Sequence, residues 1–142
     1  MQQTLSNKCF SAAIKMLARR EHSVSELIEK LSTKGFELKD INSAVQSLIK
    51  KNLQSDERYS EMIIRTRFNQ GKGPLKIRYE LQSNGISEFK IDEYNWNLLA
   101  KEVRFKKFGN DIPSDYKDIA KQKRFLLSRG FNSENIEFAM KK

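Results

Sequence analysis

One short pattern, Leu-x-x-x-Gly followed by an apolar residue, occurs three times in this chain of 142 residues. Its copies run from Leu31 to Phe36, from Leu81 to Ile86 and from Leu126 to Phe131, so that the glycines lie 50 and 45 residues apart. In each copy an isoleucine stands six residues after the glycine. A pattern that recurs at long and similar intervals is typical of an array of related structural units.

The physical basis of the pattern is the end of a helix. Glycine just beyond a helix can adopt the left-handed backbone conformation without a side-chain clash, and the next residue then packs an apolar group against the last turn. The sequence therefore predicts helix stops at Gly35, Gly85 and Gly130. Three unrelated helix ends would account for the same glycines, but the shared isoleucines favour a repeat.

Apolar residues recur at helical spacing along most of the chain, which contains only two prolines. We expect an all-α protein, an elongated and curved array of three tandem three-helix repeats resembling helix-turn-helix units. The predicted repeats are residues 1–53, 54–92 and 93–142. Only ten residues separate Gly85 from Trp96, so the middle repeat should have a shortened third helix or one fused with the next helix.

Several helix starts are also predicted. Ser23 with Glu26 three residues later forms a capping-box pattern. Proline is favoured at the first position of a helix, so a helix should begin at Pro74. In the last repeat, Ser114 is a candidate cap, and Asn132 or the serine after it should begin the final helix.

Composition excludes several classes of protein. The apolar runs are far too short to cross a membrane, and Lys8 and Lys15 interrupt any signal-like core near the start, so we expect a cytoplasmic protein. Cys9 is the single cysteine and His22 the single histidine, which together cannot build a Cys/His zinc site. We expect no metal and no cofactor, with Cys9 acting as a small apolar residue of the first helix.

Positive charge is the clearest functional signal, because the net charge is +9. The densest region of one sign, between Met62 and Tyr79, contains five bases and no acid. Such a group attracts polyanions and steers encounters with acidic protein surfaces. A solvated face that only aids solubility is the alternative, which we favour for most isolated bases but not for this region. Its bases are the first candidates for contact with a partner or DNA: Arg65, Arg67, Lys72, Lys76 and Arg78.

A second group of candidate contact residues lies elsewhere along the chain. These bases also come in short clusters, and their role would be charge-assisted hydrogen bonding to carboxylates or to DNA phosphates. The group consists of Arg19, Arg20, Arg104, Lys106, Lys107, Lys123 and Arg124.

The sequence indicates no catalytic residue. His22 stands alone in a predicted turn, where a structural role is expected. The adjacent acids Asp56 and Glu57 suit the first turn of a helix, where the dipole favours negative charge. The Gly71-x-Gly73-Pro74 turn lacks the preceding strand and the spacing of a nucleotide fingerprint. We therefore expect that the chain is not an enzyme.

Taken in order along the chain, four segments resemble the signatures of RecX, a family of bacterial regulatory proteins of the RecA recombinase. The similarity spans nearly the whole chain, although Val24, Lys72 and Leu75 stand where an arginine, an aromatic and a basic residue are common in the family. The segments that carry the resemblance are Arg19–Phe36, Asp56–Tyr59, Arg65–Ser87 and Lys106–Phe131.

The resemblance implies a chain of three-helix units that lies in the groove of a RecA filament on single-stranded DNA. It implies inhibition of ATP hydrolysis, filament growth and strand exchange, and thereby modulation of DNA repair and the SOS response. Whether the protein would cap, wedge into or disassemble the filament stays open, as does the division of the bases between RecA and DNA. We expect a monomer.

A stand-alone nucleic-acid-binding protein of helical repeats is the alternative, with the same bases on phosphates. Single-strand stacking would need exposed aromatic side chains among the bases, and Phe105 with Phe108 is the only convincing pair. Tight, salt-dependent binding to bare DNA would favour this alternative over the RecA regulator.

Overall fold

The all-α prediction is confirmed. The computed structural model describes residues 2–142, with side chains from Asn7 onward, and this part of the chain contains helices and no strand. In chain order the helices are α1 (Gln2–Arg19), α2 (Val24–Thr33), α3 (Leu38–Lys50), α4 (Asp56–Asn69), α5 (Pro74–Ser83), α6 (Trp96–Phe108), α7 (Tyr116–Ser128) and α8 (Ser133–Ala139).

The described chain divides into two compact units. Unit one runs to Met62 and includes Gln82–Phe89, and unit two consists of Ile63–Leu81 and Lys90–Lys142. Each unit therefore combines segments that are distant in the sequence. The repeat boundaries at residues 53/54 and 92/93 stay predictions.

The core of unit one lies between α1, α2 and α3. Cys9 in α1 is fully buried there, which confirms its expected role as a small apolar residue. Burial, together with the nearby Asp40, raises the pKa of the Cys9 thiol, so the side chain stays a neutral thiol. The other large apolar side chains buried in this core are Leu27, Leu31, Ile41 and Leu48.

In unit two, α6 packs against α7 and α8. Its buried apolar residues come from these three helices, from α4 and α5, and from the segments just before α6 and α8. Within the described chain, no helix combines the length and the apolar character needed to span a membrane. The larger buried side chains of this unit include Ile77, Leu81, Trp96, Leu126, Phe131 and Ile136.

Two of the predicted caps are confirmed and one is wrong. The Ser23 hydroxyl accepts a hydrogen bond from the Glu26 N–H at 3.0 Å, and the Glu26 carboxylate accepts one from the Ser23 N–H at 3.2 Å. Asn132 caps α8 in the same reciprocal way. Ser114 does not cap α7, because that helix begins at Tyr116 with Asp115 in the cap position.

The three repeated glycines all follow helix ends with a positive φ, which is +94° at Gly35, +80° at Gly85 and +97° at Gly130. Two copies close the helix with a backbone hydrogen bond that spans the pattern. The Phe36 N–H donates to the Leu31 carbonyl and the Phe131 N–H donates to the Leu126 carbonyl, each at 3.2 Å. The isoleucines that follow the glycines are buried: Ile41, Ile91 and Ile136.

The middle repeat is shortened further than the sequence indicated. Between Gly85 and Trp96 the backbone forms a turn at residues 92–93 and no helix. The Trp96 indole N–H donates to the Ile91 carbonyl at 2.7 Å, and the Trp96 ring packs against Phe68 at 5.4 Å. These contacts hold the segment just before α6 in a non-helical path.

Candidate partner interface

Arg67, from the basic region, is held by an ion pair within unit two. Its Nε and one terminal nitrogen each donate to a different oxygen of Glu80 at 2.8 Å, and its other terminal nitrogen donates to Gln70 at 3.2 Å. This fork joins the end of α4 to α5 across the turn between them. Arg67 therefore stabilises the turn that presents the neighbouring bases.

The same turn is fixed against the turn between α7 and α8. The Gly73 N–H donates to the Arg129 carbonyl at 2.7 Å, and the Leu75 N–H donates to the Gly130 carbonyl at 2.9 Å. The backbones approach so closely that a Cβ atom on Gly73 would collide with the backbone of Gly130. Both of these glycines are thus needed for the contact, and the contact holds the start of α5 in place.

Three of the five first candidates expose their side chains, namely Arg65, Lys76 and Arg78, whereas Lys72 is half-buried. Lys76 also donates from Nζ to the Ser128 carbonyl at 3.2 Å. The basic region thus divides into a structural member, Arg67, and exposed members that a partner can reach.

Arg104 belongs to the core of unit two and is withdrawn from the candidate contacts. Its side chain is only 2% exposed. Its guanidinium donates to the carbonyl oxygens of Ala139 at 3.0 Å, Asn110 at 3.2 Å and Asp111 at 3.3 Å, and to the Gln122 side chain at 3.2 Å. These bonds join α6 to α7, α8 and the loop before α7. They also explain the late start of α7, because that loop is held in an irregular conformation.

The two candidates of unit one, Arg19 and Arg20, also differ in whether the side chain is bonded within the protein. Arg20 makes a forked pair with Glu26, at 3.1 and 2.9 Å, and donates to the Glu21 carbonyl at 2.8 Å. Burial raises the pKa of Glu26, but the hydrogen bonds from Arg20 and Ser23 outweigh that effect and lower it. Arg19, by contrast, is exposed with no bonded partner in the described structure.

The remaining second-choice bases are exposed on α6 and α7. Lys107 lies over the Phe125 ring, with Nζ 5.5 Å from the ring centre. Phe108 packs edge-on against the same ring at 5.4 Å, whereas Phe105 is 53% exposed, so the two phenylalanines do not form one stacking surface. The exposed bases here are Lys106, Lys107, Lys123 and Arg124.

Arg129 is a cation near these bases that sequence reasoning missed. With Lys106, Lys107 and the rings of Phe68 and Phe125 it lines a cavity of about 410 Å³. The Arg129 Nε is buried, and no oxygen atom of the described residues accepts a hydrogen bond from it. Arg129 stands directly before the helix-stop glycine Gly130, so the local sequence indicates a helix end there and gives no sign of a binding site.

His22 has the structural role expected of it. The ring is 2% exposed; Nδ1 lies 3.0 Å from the Arg20 carbonyl and Nε2 lies 2.9 Å from Lys30 Nζ. These contacts fit a neutral ring that donates from Nδ1 and accepts from the lysine ammonium. Burial is the main cause that lowers the pKa of His22, and the charges of Arg20 and Lys30 add to it.

The lowered His22 pKa makes unit one sensitive to acid. In the unfolded chain His22 takes up a proton near the ordinary pKa of 6.5, whereas the folded ring does so only at lower pH. The contribution of His22 to the free energy of unfolding is therefore fully present well above pH 6.5 and declines below it. We expect the free energy of unfolding to fall between pH 7.5 and 5.5 by up to about 1.4 kcal/mol per pH unit more in the native chain than in His22→Gln. Urea titrations followed by far-ultraviolet circular dichroism measure this difference, and identical pH dependence of the two proteins would contradict it.

The described helices and the recurring helix stops define an all-α protein of helical repeats. Three domain models of one family match the chain in order: the first three-helix domain of RecX at residues 9–48, the second at 55–94 and the third at 99–140. The chain therefore belongs to the RecX family of regulatory proteins.

Similar proteins agree with this assignment. The chain is 43% identical over 124 residues to the regulatory protein RecX of Acidithiobacillus ferrooxidans, which covers 87% of this chain and 83% of that protein. It is 41% identical over 140 residues to that of Legionella pneumophila, covering 94% and 93% of the two chains. A crystal structure of RecX from Lactobacillus salivarius shares the fold, with a TM-score of 0.79, 24% identity and coverage of 97% and 96%.

Proposed function

We propose that this chain is a non-enzymatic regulator of the RecA recombinase. It binds in the groove of the RecA filament on single-stranded DNA and limits ATP hydrolysis, filament growth and strand exchange. The observation that carries this proposal is the ordered match of all three RecX domain models along the chain. We further propose that the protein acts in the cytoplasm, as a monomer, without a cofactor.

The distribution of the bases supports a contact surface on unit two. Arg65 and Lys76 are exposed, while the Arg67–Glu80 pair and the Gly73–Gly130 contact stabilise the turn region from which Lys76 projects. Rigid presentation lowers the entropy lost on binding, so a contact made here is stronger than one made by a mobile segment. We assign the contact to the exposed bases of this region, supported by those on α6 and α7.

A double charge reversal tests the assignment. Arg65→Glu with Lys76→Glu removes two attractive charges and adds two repulsive ones, without breaking the Arg67–Glu80 pair that an Arg67 variant would lose. We expect the concentration that halves the DNA-dependent ATPase of RecA to rise by about tenfold or more, which corresponds to about 1.4 kcal/mol. The measurement is a steady-state ATPase titration on filaments assembled on single-stranded DNA.

The matched control is Lys39→Glu with Lys50→Glu, which changes the net charge equally at two exposed positions of α3. This control should inhibit as the native chain does. Equal inhibition by the reversal variant would contradict the assigned surface. A native chain that leaves the ATPase unchanged would contradict the proposed function itself.

A further inference from the structure

The cavity of about 410 Å³ in unit two carries more positive than negative charge. Lys106, Lys107 and Arg129 line it, and Glu102 is the single acid among its described lining residues. Neither Lys107 nor Arg129 forms an ion pair with a carboxylate of the described chain. The lining therefore suits a ligand that brings a negative charge.

Arg129 presents an unused hydrogen-bond donor to this cavity. Its Nε is buried, and no atom of the described residues accepts a hydrogen bond from it. A guanidinium keeps its protons in proteins, so this N–H needs an acceptor from outside the chain. Gly71 borders the guanidinium, and a Cβ added to that glycine would lie 3.7 Å from a terminal nitrogen of Arg129. The missing side chain thus leaves the guanidinium room to receive an acceptor.

One aromatic ring fixes the position of two of the cations. The guanidinium carbon of Arg129 lies 5.7 Å from the centre of the Phe125 ring, and Lys107 Nζ lies 5.5 Å from it. At such distances the face of the ring attracts a cation. The two charges are therefore held at the wall of the cavity before any ligand binds.

Part of the lining is apolar. Leu99 and Val103 lie four residues apart on one face of α6 and are buried. Phe68, near the end of α4, is held by ring contacts with Tyr94 at 4.9 Å and Trp96 at 5.4 Å. A ligand that fills the cavity therefore needs an apolar part beside its charged group, and it meets a preformed site.

We propose that the cavity receives an aspartate or glutamate side chain of a protein partner, with an apolar residue beside it. The two oxygens of a carboxylate match the fork formed by Arg129 Nε and a terminal nitrogen. A DNA backbone fits less well, because its repeated phosphates would meet Glu102 and the apolar wall. Under the proposed function, on which this inference rests, the partner is RecA, and the cavity recognises one acidic side chain of a RecA subunit.

Arg129→Lys tests the fork, because it keeps the positive charge but offers a single ammonium. We expect its affinity for RecA filaments to fall about tenfold, and that of Arg129→Gln to fall about 30-fold. Biolayer interferometry on filaments assembled on a biotinylated single strand measures the dissociation constants. Lys39→Gln on α3 changes the charge as Arg129→Gln does and should bind as the native chain does.

Stability separates a binding role of Arg129 from a structural one. Arg129→Gln removes a buried donor that lacks an acceptor in the described chain, which offsets the loss of the contact with Phe125. The urea midpoint of unit two, followed by the fluorescence of Trp96, should therefore stay close to that of the native chain. A clear fall in the midpoint would make Arg129 a structural residue and overturn the inference.

Glu102→Gln tests the sign of the ligand charge, because Glu102 repels an incoming carboxylate. The affinity of this variant for the filaments should rise about threefold. Glu137→Gln on α8 makes the same change of charge outside the cavity and should leave the affinity unchanged. Weaker binding by Glu102→Gln, or an equal gain in the control, would contradict a carboxylate in the cavity.

The tests of the cavity and of the proposed function fail separately. A native chain that does not bind the filaments would reject the proposed function and the inference with it. Binding by the native chain, together with equal binding by Arg129→Lys, would reject the inference alone. The bare single strand is the second probe, and an equal loss of affinity for it in Arg129→Lys would indicate a phosphate ligand and also overturn the inference.

Discussion

Gly130→Ala is expected to destabilise unit two by about 3 kcal/mol or more. At φ +97° a side chain is strained in itself, and the new Cβ would lie 2.5 Å from the Lys76 Cβ and 2.9 Å from the Lys76 backbone nitrogen. The left-handed conformation costs about 1–2 kcal/mol for a residue other than glycine, and forced overpacking adds about 1–3 kcal/mol. Because Lys76 contributes its backbone to the collision, a change of rotamer cannot relieve it.

Urea unfolding followed by Trp96 fluorescence measures this effect, because Trp96 is the single tryptophan and is buried in unit two. Gly109→Ala is the matched control in the same unit. Gly109 has a φ of +90°, but a Cβ added there would meet nothing within 4 Å. With a ψ of −174°, Gly109 lies in a backbone region that is essentially restricted to glycine, so the control should show the backbone strain alone, about 1–3 kcal/mol. Equal costs for the two variants would mean that the contact with Lys76 adds nothing.

Arg104→Met is expected to lower the free energy of unfolding of unit two by about 3–4 kcal/mol. The substitution removes four hydrogen bonds donated by a buried guanidinium and leaves their acceptors without those donors. Bonds from charged groups contribute about 1.5–3 kcal/mol each. Relief of the arginine's own desolvation offsets part of that sum. We therefore expect the loss of stability to be well below the sum of the four hydrogen-bond contributions, but still among the largest for any single residue of this unit.

The same fluorescence-detected titration measures this loss. Lys106→Met on the exposed face of α6 is the control and should change the free energy of unfolding by less than about 0.5 kcal/mol. Arg104→Lys should recover only part of the loss, because a single ammonium cannot reach four acceptors that surround a planar guanidinium. An Arg104→Met protein as stable as the native chain would contradict the role of this residue as a core link.

Local signals made much of the fold predictable from sequence. The helix stop at Gly35 and the capping box at Ser23 depend on residues within about one turn, so both can be predicted from the local sequence. The irregular segment before α6 is different. Its path depends on the Trp96 indole, which bonds the Ile91 carbonyl and packs on Phe68 from another helix. Such tertiary contacts override helical spacing.

The candidate interface shows where charge density misleads. The basic region from Met62 to Tyr79 ends one residue before Glu80, which pairs with Arg67. Counting charges within a region therefore hides a partner just outside it. Arg104 gives the same lesson, since its acceptors are backbone carbonyls and an amide that carry no charge. Burial cannot be inferred from residue type alone when neutral oxygens satisfy the cation.

The segments that resemble the family's first and second signatures contact each other within unit one. The Glu21 carboxylate accepts from Arg58 Nε at 3.0 Å, and the Asp56 carboxylate accepts from the Val24 N–H at 2.9 Å. Gln54, which is buried, donates to the His22 carbonyl at 3.2 Å. These contacts hold the start of α4 against the start of α2. A role in folding therefore accounts for these residues, and no contact with a partner is needed to explain them.

That junction has a consequence for how genes of this family can recombine. A crossover near residue 53 between diverged relatives would join a Glu21 from one parent to the residue at position 58 from the other. The resulting protein would then contain a half-buried carboxylate or a cation without its partner. Exchange keeps this ion pair only where both parents carry compatible residues, so positions 21 and 58 should be inherited as a linked unit despite lying over thirty residues apart.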